Sequence, residues 1–323
     1  MSMYRGKSIG IVVITYNGEK YIIEQLNSIL KQSILPDNVM IFDDMSSDST
    51  YQIIEKYISD RHLNWKLKCR NKNYGWCKNA YYALKECKTD LIFWADQDDV
   101  WLPNKLKSLS DVALSDQKCL LAYSDRNYID GQGYELYSRR RNKTVKIKRI
   151  KGLKIPDNIP AILGCSLCLK RKLIDELQDS IFENCDYNST DTILYYCARA
   201  FGSVLYINQP LFKRRIHENN LTVSKAKIKR NWKFDYEKNL QTYRFIEIQL
   251  KTICNYINFF YQSGISKNKI KFLIYERRYL SERLKYVNNK TMIRYVAYAL
   301  LQCTFMDFIY TIWSDTCFRH HKQ

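Results

Sequence analysis

The sequence predicts an α/β fold in which a mostly parallel sheet is flanked by helices. Short apolar runs with strand character alternate with segments whose apolar residues recur at helical spacing, which is typical of βαβ units. Polar and acidic residues directly follow several of the predicted strands, where such sheets bind ligands. The hydrophobic fraction of 46% and the charged fraction of 26% exclude a disordered chain.

The front half of the chain carries this alternation. Strands are predicted at 9–14, 39–42, 65–69, 91–94 and 120–124. Helices are predicted at 19–32, from Asp48 or Ser49 to 58, and at 75–87. Another helix begins near Pro103, because proline lacks only an N–H that a first helical turn leaves unpaired. Connections of this kind place successive strands parallel in one sheet.

The rear half is less regular. Residues 139–160 are basic and predict an exposed loop, followed by a strand at 162–169, a helix at 191–200 and a strand at 204–207. Beyond 220 the character changes to basic and aromatic residues at helical spacing. We therefore predict an α/β domain at residues 1–222 and a basic, aromatic-rich helical extension at 223–323.

The net charge of +19 is concentrated at 139–154 and 225–294. Such charge fits nucleic acid, an anionic membrane surface or phosphorylated substrates. A basic rear on a balanced front favours docking, and we expect an anionic membrane surface rather than nucleic acid. The apolar segment 295–313 contains Gln302 and Asp307, which are costly in lipid, so a packed or interfacial helix is favoured over a membrane span.

The first apolar run is too short for an export signal, so a cytoplasmic location is expected. The 11 cysteines should then remain thiols. Cys165 and Cys168 form a close pair without a second pair or a nearby histidine. They are interpreted as small buried residues rather than as a zinc site.

Three acids, Asp96, Asp98 and Asp99, follow the predicted strand 91–94. Clustered carboxylates repel one another unless a cation neutralises them, and oxygen ligands suit Mg²⁺ or Mn²⁺. A solvated acidic turn is the alternative. The position directly after a buried strand favours a metal and substrate site.

Asp43 and Asp44 follow the second strand, where an acid can bind a ribose or a base. Capping of the next helix is the alternative, although Asp48 could do that. Tyr16 can stack on a base. The chain has neither a GxGxxG motif nor a P-loop lysine, so metal and isolated cations must meet any phosphate charge.

Together these stretches resemble glycosyltransferase family 2, the inverting enzymes with a Rossmann-like GT-A fold, and especially its bacterial rhamnosyltransferase-type branch. The resemblance runs from about 9 to 221 and rests on the order and spacing of several motifs. They are Val13-Ile14-Thr15-Tyr16-Asn17-Gly18, Phe42-Asp43-Asp44-Met45-Ser46-Ser47-Asp48, Asn73-Tyr74-Gly75, Ala95-Asp96-Gln97-Asp98-Asp99-Val100-Trp101-Leu102-Pro103-Asn104-Lys105, Gly164-Cys165, Thr190-Asp191-Thr192 and Arg214-Arg215-Ile216-His217-Glu218-Asn219-Asn220.

The resemblance implies a role for each matching residue. Asp191 would be the catalytic base, and Asp96 and Asp98 the DxD element, with Asp98 the more direct ligand of Mn²⁺ or Mg²⁺. His217 would contact the metal or the diphosphate. The donor nucleotide would meet Thr15, Tyr16, Asn17, Asp43, Asp44, Asn73, Gly75, Asp96 and Asp99. The alternatives are that Asp191 only caps its helix and that His217 is an ordinary surface histidine.

The sequence also departs from the family pattern. Met45 stands where the family usually has glycine, so a left-handed turn there would be strained or replaced. Thr190 and Thr192 flank Asp191 where the family often has histidine or aspartate and then tryptophan. That change puts the acceptor pocket in question more than the base.

We predict an inverting transferase that moves a sugar from a nucleoside-diphosphate sugar to a lipid-linked surface-polysaccharide acceptor, at the inner face of the cell membrane. A nucleotidyltransferase is one alternative, but it would want a glycine-rich loop and a phosphate-binding lysine after the first strand. A non-catalytic protein that binds nucleic acid or membrane is another, and it leaves the acidic cluster unexplained. A catalytically inactive scaffold is the last alternative.

Overall fold

The computed structural model describes residues 3–137, 144–150, 162–177, 179, 182, 190–218 and 220, together with separate helical positions between 254 and 281. The chain divides into two compact units, Met1–Lys229 and Arg230–Gln323. The boundary predicted after 222 lies inside the first unit.

The front half of the first unit is a parallel sheet. Its strands are β1 (Ile9–Thr15), β2 (Asn38–Asp43), β3 (Lys66–Cys69) and β4 (Leu91–Asp96), in the order β3-β2-β1-β4. The helices α1 (Ile22–Leu30), α2 (Thr50–Asp60) and α3 (Trp76–Glu86) connect them. This βαβ alternation is the one that the sequence predicts.

The sheet continues with strands of both directions. The remaining elements are β5 (Val100–Trp101), α4 (Lys105–Leu114), β6 (Cys119–Ile129), β7 (Glu135–Tyr137), β8 (Ile147–Ile150), β9 (Leu167–Lys170), α5 (Arg171–Asp175), α6 (Thr190–Phe201) and β10 (Ser203–Arg215). The order from β4 onward is β9-β6-β10-β5, while β7 pairs with β6 and β8 with β10. β6 and β10 are parallel, whereas β9 is antiparallel to β4 and β6.

Two predictions for the rear half were wrong in detail. The predicted strand at 162–169 is a 3₁₀ turn, Gly164–Ser166, followed by the shorter β9. At this turn the Gly164 backbone packs so closely against the Trp94 ring that a Cβ would lie 2.7 Å from Cε2. The predicted loop at 139–160 contains β8, which pairs with the start of β10.

The buried core explains why these segments fold as they do. All seven residues of β1 are buried. Ile22, Leu26 and Ile29, spaced three and four apart on α1, are fully buried. These three residues form the buried face of the first helix.

The described positions of the second unit are all helical. Within the described part of the chain, no helix is long and apolar enough to cross a membrane. The apolar segment 295–313 lies outside the described residues. Each cysteine that the structure describes is a free thiol.

Candidate active site

The strand register brings the predicted polar clusters to one edge of the sheet. Thr15 lies opposite Asp43 in the ladder between β1 and β2, and Asp96 lies opposite Ile14 in the ladder between β1 and β4. The residues that follow these strands therefore meet at neighbouring carboxyl ends, where α/β sheets bind ligands.

Thr15 and Asp43 form a buried pair at this edge, with exposed fractions of 1% and 0%. Thr15 Oγ1 donates to Asp43 Oδ1 at 2.9 Å, and the Ser46 N–H donates to Asp43 Oδ2 at 2.8 Å. Both side chains therefore lie behind the surface and hold the loop after β2. Their predicted contact with the donor stays a prediction.

Asp44 joins the loop after β2 to the start of α3. Its Oδ1 accepts the Tyr74 N–H at 2.9 Å, and the Gly75 N–H donates to Asn73 Oδ1 at 2.9 Å. Gly75 has a φ of 78°, a left-handed conformation that favours glycine. Burial raises the pKa of the Asp44 carboxyl. Asp44, Asn73 and Gly75 thus belong to one structural unit.

The loop after β1 is tied to the acidic motif by Gln97. The Tyr16 N–H donates to Gln97 Oε1 at 2.7 Å, and Gln97 Nε2 donates to the Tyr16 carbonyl at 2.9 Å. A Cβ at Gly18 would lie 2.3 Å from Gln97 Oε1, so a larger residue there would displace the Gln97 side chain from these hydrogen bonds. Asn17 Oδ1 accepts the Ser47 N–H at 2.8 Å. Tyr16 is 47% exposed, which leaves its ring available for stacking.

Met45 keeps the left-handed conformation that the family usually gives to glycine. Its φ is 65°. A non-glycine residue in this region costs about 1 kcal/mol or more. The Ser46 N–H and Oγ both donate to Asp43, at 2.8 and 2.6 Å, and so hold the turn. The turn is therefore retained at some cost rather than replaced.

The acids after β4 form a compact, partly buried cluster. Asp96, Asp99 and Cys165 place one side-chain atom each within 4.8 Å of one another. Burial, followed by the charge of Asp98, raises the pKa of both Asp96 and Asp99. Like charges held this close require a cation or protons.

Asp98 and His217 lie in direct contact. His217 Nε2 lies 2.8 Å from Asp98 Oδ2, and Asn220 Nδ2 donates to the same oxygen at 3.2 Å. The His217 ring also lies 4.9 Å from the ring of Tyr21. His217 is thus part of the site's geometry, although 119 positions separate it from Asp98.

The donor atoms fit a hard divalent cation. Carboxylates suit Mg²⁺ or Mn²⁺, and an imidazole suits Mn²⁺ further. Of the predicted ligands, Asp98 and His217 lie next to each other but outside the group of ligand atoms formed by Asp96, Asp99 and Cys165. Burial raises the pKa of the Cys165 thiol well above its usual range, so it donates to Asp99 as a neutral group. Cys165 therefore has a polar partner in addition to the buried position predicted for it.

Asp191 lies in the first turn of α6 and is not its cap, because the helix begins at Thr190. The Gly164 N–H donates to Asp191 Oδ2 at 3.0 Å, and the Thr192 N–H donates to Oδ1 at 2.6 Å. Asp191 is close enough to raise the pKa of Asp96 by its charge, after burial and Asp98. The Asp191 carboxylate thus lies next to the acidic cluster but comes from a different element, α6.

Lys105 is a site residue whose role the sequence did not indicate. It is fully buried, and its Nζ donates to the Cys165 carbonyl. The ammonium also lies 3.9 Å from the ring centroid of Trp101 and 4.7 Å from that of Phe212. Burial lowers the pKa of Lys105 to about 8, while the nearby acids oppose that change.

Two arginines were also missed as individual residues. Arg215 is 1% exposed, and its Nε donates to the Asp98 carbonyl at 3.0 Å while its own N–H donates to Asp99 Oδ1 at 3.1 Å. Arg70 lies near Asp44, and its Nη2 is buried without a hydrogen-bond partner among the described residues. The only signal for Arg215 was its position within the motif that contains His217.

Comparison with known proteins places this site among sugar transferases. The sequence model of glycosyl transferase family 2 matches residues 10–177. The dTDP-rhamnosyl transferase RfbG of Shigella flexneri is 30% identical over 228 residues, which cover 68% of this chain and 76% of that protein. The poly(ribitol-phosphate) beta-N-acetylglucosaminyltransferase TarS of Staphylococcus aureus is 40% identical over 92 residues, 28% of this chain and 16% of that protein.

Solved structures share the fold at lower identity. S. aureus TarS 1–349 in complex with UDP-GlcNAc has a TM-score of 0.59 and 18% identity, covering 93% of this chain and 77% of that chain. The mannosyltransferase PcManGT from Pyrobaculum calidifontis, in complex with GDP-Man and Mn²⁺, has a TM-score of 0.57 and 15% identity, covering 98% and 81%. The arrangement of sheet and helices is therefore that of known glycosyltransferases.

Proposed function

Because the chain belongs to glycosyl transferase family 2, we propose that it is an inverting, metal-dependent enzyme acting on a lipid-linked surface-polysaccharide acceptor. The GT-A fold and the family predicted from the sequence are confirmed. Transfer from a nucleotide-sugar donor follows from the family. The stereochemistry, the metal and the acceptor are the proposal.

The donor nucleoside is assigned to the unit around Asp44. The exposed Tyr16 ring would stack on the base, and Asp44 would accept an N–H from the base edge. Arg70 Nη2, buried without a described partner, would donate to a base carbonyl. Thymine, uracil and guanine each present a ring N–H beside a carbonyl. Because the relative RfbG is named a dTDP-rhamnosyl transferase, we propose a deoxythymidine-diphosphate deoxyhexose such as rhamnose, or a uridine-diphosphate hexose.

The position of Asp191 carries the proposed chemistry. Its carboxylate is oriented by the Gly164 N–H beside the acidic cluster, so it can take the proton of an acceptor hydroxyl. That hydroxyl attacks the anomeric carbon from the side opposite the leaving diphosphate, which inverts the configuration. Mn²⁺ or Mg²⁺, held by Asp96, Asp98 and His217, would stabilise the charge of the leaving group.

The acceptor and the location are inferred from charge. The basic extension would place the enzyme at the cytoplasmic face of the membrane. There, the attraction between anionic lipid and each well-placed Lys or Arg contributes about 1 kcal/mol to binding. A lipid-linked glycan is made at such a surface. TarS, by its name, acts on a polymer of ribitol phosphate, which supports a polymeric acceptor here.

A donor panel tests the function. Purified enzyme with Mn²⁺ or Mg²⁺ should release one nucleoside diphosphate from one or a few nucleotide sugars. Asp98→Ala should reduce that release by about 100-fold or more, since it removes a carboxylate from the cation site. Asp60→Ala, an exposed acid at the end of α2, should retain wild-type release.

The outcome of this panel is decisive for the class of protein. If the enzyme releases a nucleoside diphosphate from no donor and calorimetry detects no donor binding, the proposed transferase is refuted. Binding without release would point to a requirement for the acceptor, and would be followed by the same panel with lipid-linked glycan added.

Membrane docking gives a separate prediction. The full chain should sediment with vesicles that contain anionic lipid and should be released by about 0.5 M salt, because salt screens surface charge. Vesicles of neutral lipid are the control. Equal sedimentation with both kinds of vesicle would contradict electrostatic docking.

A further inference from the structure

The turn Gly164–Ser166 contacts the carboxylates on both sides of the proposed reaction. The Gly164 N–H donates to Asp191 Oδ2 at 3.0 Å. The same glycine packs against the indole of Trp94, since a Cβ there would lie 2.7 Å from Trp94 Cε2. Trp94 Nε1 in turn donates to Asp96 Oδ1 at 2.9 Å. The position of this turn therefore sets where Asp191 lies relative to Asp96.

The next residue of the turn reaches the third carboxylate. The Cys165 thiol donates to Asp99, and its carbonyl accepts from Lys105 Nζ. Lys105 belongs to α4, an element that supplies none of the predicted site residues. One buried side chain thus links the helix after the acidic motif to the turn that all these carboxylates share.

Burying an ammonium group costs free energy of folding unless its surroundings compensate the charge. Two aromatic rings, those of Trp101 and Phe212, face the ammonium at 3.9 and 4.7 Å. Its charge also acts on Asp99 and Asp96. An apolar residue would fill the same space, so the position of the charge indicates a role in the site.

We propose that Lys105 is a positioning residue for sugar transfer. It anchors the Gly164–Ser166 turn and so fixes the position of Asp191 relative to Asp96 and Asp99. The proposal rests on the function proposed above, because it assigns Lys105 a part in that reaction. Its ammonium also offsets part of the negative charge of the acidic cluster. Lys105 therefore stabilises the acidic cluster when no metal ion is bound. For the same reason, it weakens the binding of a divalent cation.

Lys105→Met is the direct test, because methionine fits the aromatic surroundings but has no charge and no donor. Its kcat should fall by about 30-fold, with the KM for the donor within about threefold, since the reacting groups are misplaced rather than lost. Mn²⁺ alone, titrated into metal-free enzyme and followed by electron paramagnetic resonance, should bind about threefold to tenfold more tightly.

The matched control is Lys107→Met on the same helix. The Lys107 side chain is 51% exposed and pairs with Asp111, so kcat and Mn²⁺ affinity should stay at wild-type values. Equal kcat and equal Mn²⁺ affinity in the two variants would overturn the proposal. So would a joint loss of thermal stability, donor affinity and kcat in Lys105→Met, which is the pattern of a purely structural residue.

Lys105→Gln covers the case in which Lys105→Met does not fold, since it keeps an N–H donor and removes the charge. Folded Lys105→Gln should show the tighter Mn²⁺ binding, and wild-type affinity in it would overturn the proposal. Failure of both variants to fold would also overturn it. A wild-type enzyme that neither binds nor acts on any donor refutes the proposed function first, and the role of Lys105 with it, before any variant is compared.

Discussion

Replacing Asp191 by asparagine is expected to lower kcat for sugar transfer by about three orders of magnitude, because a carboxamide cannot take the proton of the acceptor hydroxyl. Asparagine has nearly the same shape, and its Oδ1 can still accept the N–H of Gly164 or of Thr192. Donor binding should therefore change by less than about threefold. Steady-state kinetics with the donor identified by the panel would measure both quantities.

Asp60→Asn is the matched control for this substitution. Asp60 is exposed and ends α2. Because α2 runs back from the carboxyl end of β2, its last residue lies at the opposite edge of the sheet from the site. Transfer by this variant should equal that of the wild type. If Asp191→Asn retained kcat within tenfold and only lost thermal stability, Asp191 would have a structural role at the start of α6.

Replacing Arg215 by methionine is expected to reduce the free energy of unfolding by about 2–4 kcal/mol. The guanidinium is buried, donates to the Asp98 and Asp130 carbonyls at 3.0 and 3.2 Å, and pairs with Glu24. Methionine fills part of the space but removes the side-chain donor to the Asp98 carbonyl, while the Asp130 carbonyl keeps the Gly133 N–H at 3.1 Å. Because Arg215 holds both the Asp98 backbone and the Asp99 carboxylate, displacement of these acids should outweigh the loss of one repelling charge, and we expect Mn²⁺ affinity to fall by about tenfold.

Two further variants test the cause of this effect. Arg215→Lys keeps the charge but cannot reach several acceptors at once, so it should recover only part of the stability. Lys213→Met removes a half-exposed cation from the same strand, paired with Glu135 at 3.4 Å, and should cost less than about 0.5 kcal/mol. Chemical denaturation would compare all three. Equal losses in the free energy of unfolding for Arg215→Met and Lys213→Met would show that the buried hydrogen bonds of Arg215 have no special effect on stability.

Local sequence patterns were enough to predict the parallel half of the fold. Strands predicted at 9–14, 39–42 and 91–94 are Ile9–Thr15, Asn38–Asp43 and Leu91–Asp96. These runs are apolar because both faces of the sheet are covered. A continuous apolar run can be recognised from neighbouring residues alone. Each prediction ended early because Thr15, Asp43 and Asp96 are polar, although they still pair in the ladder.

Tertiary structure decided the strands that have little pattern of their own. β9 has four residues and β5 has two, too few for periodicity to set a direction. β9 runs antiparallel because β4 and β6 accept it on both sides after the turn at Gly164. β5 exists only because the end of β10 lies beside it.

The same division holds for the site. The polar residues at the end of β1 and the acids at the ends of β2 and β4 were found from the sequence, because a strand end is a local feature and parallel strands bring such ends together. Lys105 and Arg215 were not, since each is defined by partners far along the chain. Cys165 is 60 positions from Lys105, and Asp98 is 117 positions from Arg215. Only folding gives these two cations their burial, and burial is what makes their charge act on the acids.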